Sequence, residues 1–211
     1  MNKRTVLVML SALFASAAGG QMVNAIVAVV NGQVITLLDV QVAAEFGLAG
    51  PAGAEAGTDP REAALESLID RKLVLDLARE VRSADRSEIA AASAELKASM
   101  GEGAFAAKLA KFGLTEEGLA PYLEERIRYD KALALRFSAA IPVSVTEVER
   151  YYRDIYVPEQ TRVGRTVEPL DRVSGAIEAG IRDERRTRQM AGWVRDLRKR
   201  ADIQIRRDRL K

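Results

Sequence analysis

The stretch from Ile26 to Val40 limits what this chain can become more than any other. It holds two apolar runs rich in β-branched residues, joined by Asn31-Gly32, a dipeptide that accepts the positive φ angles of a two-residue hairpin turn. A lone hairpin is marginal in water and must find further strand or a helix to cover its apolar face. The candidate lies at the other end of the chain, where Asp202-Ile-Gln-Ile-Arg206 alternates as a short half-buried strand does. Pairing of the two ends would close everything between them into one domain. The expected fold is mainly α, a multi-helix domain with a small antiparallel sheet formed by an N-terminal hairpin and a C-terminal strand.

Residues 1–25 read as a segment apart. Asn2-Lys-Arg4 is a positive start, Thr5 to Ala18 a short apolar run, and Val23-Asn-Ala25 places small residues where a signal peptidase cuts. The apolar run falls short of the ~20 residues that span a bilayer, which favours a cleaved export signal over a membrane anchor. The remainder, Ile26 to Lys211, is then expected outside the cytoplasm with no stable membrane insertion.

No cysteine and no histidine occurs anywhere. Disulfides, thiolate metal sites and a thiol-linked lipid anchor are therefore excluded, and so are histidine general bases and Ser-His or Cys-His nucleophile pairs. Stability must come from packing. Without Lys3 and Arg4 the charges balance at 30 basic and 30 acidic, but from Ile181 onward twelve Lys or Arg face five Asp or Glu. With Trp193 as the arm's sole aromatic and acids interspersed, a solvated helix face is expected there and no nucleic-acid partner.

Helical patterning fills the middle. Thr36 with Asp39 three residues on marks a cap, and Leu38, Val42 and Phe46 a stripe that ends at Gly47. Ala49 to Pro60 reads as a loop closed by Thr58-Asp-Pro. Leu65, Leu68, Ile69, Leu73, Leu77 and Val81 give the strongest helical period and predict the central core helix. Ser87 is expected to start a helix that Gly101-Glu-Gly103 ends, and a shorter one carries Phe105, Leu109 and Phe112. Leu114-Thr115 caps a long helix with Leu119, Leu123 and Ile127, which Pro121 should kink or delay. Ser144-Val-Thr-Glu147 is a capping box before Tyr151 and Tyr152, and Ile155 to Thr166 reads as irregular. The last helix bears one stripe at Val173, Ile177 and Ile181 and a second at Met190, Val194 and Leu197, with a charged stretch between that suits a bridge over solvent.

These segments in this order resemble a family. The export signal, VAVVNGQVITLLDV, LESLIDRKLVLDLARE, FGLTEEGLAPYLEERIRYDKAL, IPVSVTEVERYY and the closing run from Glu168 to Ile205 are similar to the N-terminal domain of SurA-type periplasmic chaperones. In many relatives a sequence like Tyr156-Val-Pro-Glu-Gln160 leads into a parvulin prolyl-isomerase domain of roughly a hundred residues. Here that insertion is missing, and so are the histidines of such an active site. The resemblance implies the division 1–25 signal peptide, 26–154 helical chaperone domain, 155–166 linker, and 167–211 helix and strand completing that domain.

It also implies an ATP-independent periplasmic holdase that binds unfolded exported or outer-membrane proteins, without catalytic residue, metal or cofactor. A dedicated adaptor that holds one fixed partner, or pairs as a homodimer, is the alternative from another class, and a degenerate prolyl isomerase a third. Met100, Phe105, Phe112, Leu114, Tyr122, Tyr129 and Phe137 combine a flexible thioether with aromatic and aliphatic groups and are the candidate peptide-binding residues. Only those that are exposed and contiguous can serve as such a surface.

Overall fold

The computed structural model describes residues 25–49 and 58–210. The expected export signal, Ala25 apart, and most of the Ala49–Pro60 loop lie outside them. Strands β1 (Ile26–Val30) and β2 (Gln33–Thr36) pair antiparallel around Asn31 and Gly32, whose φ values are 47° and 81°. Both angles are positive, as the two-residue turn requires. Strand β3 (Ile203–Ile205) pairs antiparallel with the free side of β1, Val30 opposite Ile203 and Ala28 opposite Ile205, giving the order β2-β1-β3. The turn is tied in as well: the Asn31 N–H donates to the Asp202 carbonyl, and the Asp202 N–H to the Asn31 side chain.

Helix α1 (Leu37–Glu45) follows β2 directly, its first turn closed by a reciprocal capping box between Thr36 and Asp39. The α2 helix (Pro60–Leu77) starts behind Asp59 with Pro60 in its first turn, where the missing N–H is harmless. Leu65, Leu68, Ile69, Leu73 and Val74 are buried along it, as the stripe predicts. The stripe was expected to run on through Leu77 and Val81, but the helix stops at Leu77, which is 64% exposed, and Val81 sits in the turn beyond. Leu77 lies past the end of the core it was expected to face.

Helices α3 (Arg86–Met100), α4 (Glu102–Lys111) and α5 (Glu116–Arg136) form the next layer. Asp85, rather than Ser87, caps α3 and exchanges hydrogen bonds with Glu88; Gly101 at φ 84° separates α3 from α4, and Gly103 lies within α4. The α5 helix is continuous through Pro121, so that residue does not delay its start; Leu135, a candidate for the far end of its apolar stripe, is 71% exposed, and Ala132 and Leu133 are buried instead. Among the described residues twenty buried side chains make the main core, from the sheet, α1, α2, α4 and α5, from Phe46, Leu48 and Phe112 just past the ends of α1 and α4, and from Leu210.

The expected irregular stretch from Ile155 to Thr166 is largely helical. Helix α6 (Val145–Tyr151) continues through a π-helical turn (Tyr152–Tyr156) into α7 (Val157–Arg162). Pro158 explains the π turn: it lacks an N–H and its ring would clash with the carbonyl four residues back, which wider i to i+5 bonding relieves. The packing that decides the helix is aromatic rather than periodic. Tyr152 and Tyr156 stack at 5.4 Å, and the Tyr152 hydroxyl donates to the Glu168 carbonyl.

Helix α8 (Leu170–Arg200) runs as one element past all of this. Its Ile177 and Ile181 bury with Val148, while Met190, Trp193, Val194 and Leu197 pack on a second cluster around Val74, Ala132 and Leu133. Between the two stripes Arg185 donates to the Pro142 carbonyl and to Glu147, and Arg182 to the Ile141 carbonyl. The fold is mainly α with a small three-stranded antiparallel sheet made from both ends of the chain.

Candidate functional site

Residues of β2, α1, α2 and the start of α5 line a cleft of about 350 Å³. Leu114, Pro121 and Tyr122 at the start of α5 supply its accessible apolar surface, over Ile35 of β2 and Leu68 of α2, which are core residues 1% and 4% exposed; Asp39, Arg71, Lys72 and Glu125 supply its charges. Gly118, the third helical residue of α5, brings no side chain into this space. A second cleft of about 500 Å³ adjoins it, sharing Lys72, Pro121 and Glu125 and reaching Gln33, Asp76 and Arg128.

The charges in the first cleft are unequally satisfied. Asp39 accepts from the Thr36 N–H and hydroxyl and, at 3.2 Å, from the Tyr122 hydroxyl. Glu125 pairs with Lys72 at 2.6 Å. Burial, and next to it the charge of Asp39, push the Tyr122 phenol up to about 12, so it stays a neutral donor. Arg71 differs. It is only 2% exposed, one of its terminal nitrogens donates to the Leu48 carbonyl, and its Nε has no hydrogen-bond partner. Its guanidinium lies 5.9 Å from the Tyr129 ring centre, and burial pulls its pKa below the usual arginine value.

Of the candidate peptide-binding residues, Leu114 and Tyr122 line this cleft. Phe105 and Phe112 do not serve the surface expected of them: they are 1% and 9% exposed and pack on Phe46 inside the main core, at 5.9 Å and 6.5 Å between ring centres. Their spacing on a short amphipathic helix already fits a core stripe. Phe112 also lines a third cleft, beside Lys108 and Lys111. Met100 is half-buried against the main core, and Tyr129 and Phe137 are half-buried in the second cluster, Phe137 edge-on to Trp193 at 5.6 Å. The seven residues are thus divided among core, cleft and helix-docking contacts rather than forming one contiguous face.

Ile35, Leu68 and Arg71 are not among the residues that the sequence nominates for binding; Leu68 is read there as core, and it is 4% exposed. For Arg71 a signal existed: it falls three residues after Leu68 and four before Leu75, inside the apolar stripe, where a charge is out of place unless something holds it. Among the described residues no group of three or more Asp or Glu is placed to hold a metal ion, and no helix is long and apolar enough to cross a membrane. No protein-family model matches the chain, and no significant match to a curated protein was found.

Proposed function

We propose that this protein is an ATP-independent periplasmic holdase, a chaperone that shields unfolded exported polypeptides, among them outer-membrane proteins, without isomerising prolines. The observation that carries the reading is the cleft between β2, α2 and α5. It offers Leu114, Pro121 and Tyr122 at an opening to solvent, while its carboxylates are engaged by a cap, a tyrosine and a lysine. Such a surface gains about 25 cal/mol for each Å² of client apolar area it covers. Holding a disordered client costs ordering entropy, so binding through one small cleft is weak and reversible, as a holdase requires. The resemblance of the hairpin, the helices and the returning strand to SurA-type N-terminal domains supports the same reading.

Light scattering tests it. A denatured outer-membrane barrel protein is diluted into buffer with and without the purified chain, in the absence of ATP. Suppressed aggregation at near-stoichiometric chaperone is the expected result. Undiminished scattering, from a sample whose circular dichroism shows it folded, would exclude a general holdase and leave the dedicated adaptor.

A further inference from the structure

The two edges of the sheet differ. On the outer side of β2 the Thr36 N–H is taken by Asp39, which leaves little beyond Val34 for a further strand. The outer side of β3 is open. The Asn31 N–H donates to the Asp202 carbonyl at 2.9 Å and the Arg206 N–H to the Val27 carbonyl at 2.8 Å, so Asp202, Gln204 and Arg206 turn their backbone toward β1. Ile203 and Ile205 turn theirs away, and among the described residues nothing meets those N–H and C=O groups. Both isoleucine side chains pack on the main core, which fixes the strand in place. No proline or bulge, devices that commonly close such an edge, interrupts β3.

The exposed face of this strand carries a charge at each end. Asp202 and Arg206 share it with Gln204, which lies midway between them. Around them Arg198 is paired with Glu66 and Asp70, Lys199 with Asp196, and Arg207 with Glu62 and Glu66, while Arg200 and Arg209 lie outside the strand. Asp202 and Arg206 have no ion pair among the described residues; the Asp202 carboxylate accepts from the Gln204 amide, at 3.4 Å.

We propose that β3 pairs antiparallel with β3 of a second copy of this chain, about a two-fold axis through Gln204, which joins two three-stranded sheets into one. The run Asp202-Ile-Gln-Ile-Arg206 is complementary to itself in that direction. Ile203 exchanges both backbone bonds with the partner's Ile205, and Ile205 with the partner's Ile203, which satisfies the outward groups of both strands. Asp202 comes to lie opposite the partner's Arg206, and the symmetry makes that ion pair twice. A parallel alignment in register would set like charges side by side. An extended segment of arbitrary sequence would meet the backbone groups but not the two charges, which favours a second copy as the occupant. The pairing does not depend on the holdase reading.

Sedimentation velocity of the purified protein from about 2 to about 400 µM tests it, a range set by the weakness of small interfaces. The sedimentation coefficient is expected to rise with concentration from that of the monomer toward that of the dimer. D202R places like charges opposite one another at both symmetric positions and should weaken the dimer by about tenfold or more, as should R206D. The double substitution D202R/R206D restores both pairs in exchanged order and should bring the dissociation constant back to within about threefold of the unaltered protein. Both side chains are exposed, and circular dichroism checks that each variant folds. A monomer at every concentration overturns the proposal and leaves the edge to an extended client segment. A dimer that D202R does not weaken, or that the double substitution does not restore, overturns it as well, since the copies then meet elsewhere.

Discussion

Glu147 shows how one side chain can do two structural jobs. It closes the cap of α6 by accepting from the Ser144 N–H at 2.9 Å, and it also receives Arg185 from the middle of α8. The Ser144 backbone bond first, and Arg185 after it, hold its carboxyl down at about 2, against an ordinary 4.5. Because the folded value lies below the unfolded one, Glu147 stabilises the fold above about pH 4.5, and the contribution fades as pH falls toward 2. Replacing it with Gln should lower the thermal midpoint at pH 6, and the gap from the unaltered protein should close as the pH is brought down to 2.5. A gap that stays constant across that range would assign the loss to something other than the charge.

Among the elements, the strand at the C-terminal end carries more than its three residues suggest. Ile203 and Ile205 sit on β1, Leu210 reaches the main core, and Arg207 pairs with Glu62 and Glu66 of α2. Truncation after Arg200 should lower the thermal midpoint by about 10 °C, from the apolar area lost and the usual entropy of unfolding for a chain of this size. An unchanged midpoint would show that β3 is an ornament of the sheet. The hairpin, its turn, the Thr36 and Ser144 capping boxes and this strand were legible in the sequence because each depends on residues close together with restricted chemistry. The helical stretch from Ile155 to Arg162 was not, since its order comes from tyrosine stacking and from bonding to Glu168, contacts that leave no period in the sequence. The candidate site was half legible for a related reason. Aromatic content picked out Leu114 and Tyr122 together with Phe105 and Phe112, and only tertiary packing separates those that line a cleft from those that fill a core.

At the scale of the molecule the stability is unevenly distributed. Among the described residues the main core gathers twenty buried side chains, whereas the cluster between α6, the π-helical turn and the first half of α8 gathers three, Val148, Ile177 and Ile181. Regions with few buried contacts open at lower free energy than the whole domain. Hydrogen exchange should therefore find amides of α6 and of α8 near Ile177 exchanging well before those of β1 and α2; uniform protection would show one cooperative unit. The three-stranded sheet has a temporal consequence as well. Val30 meets Ile203 across about 170 intervening residues, so β1, once it has left the ribosome, waits for β3. Closing so long a loop before its contacts can reward it is slow. Until β3 has been made, one edge of β1 stays without its partner, and this protein is itself, for that interval, an unfinished chain with an open strand.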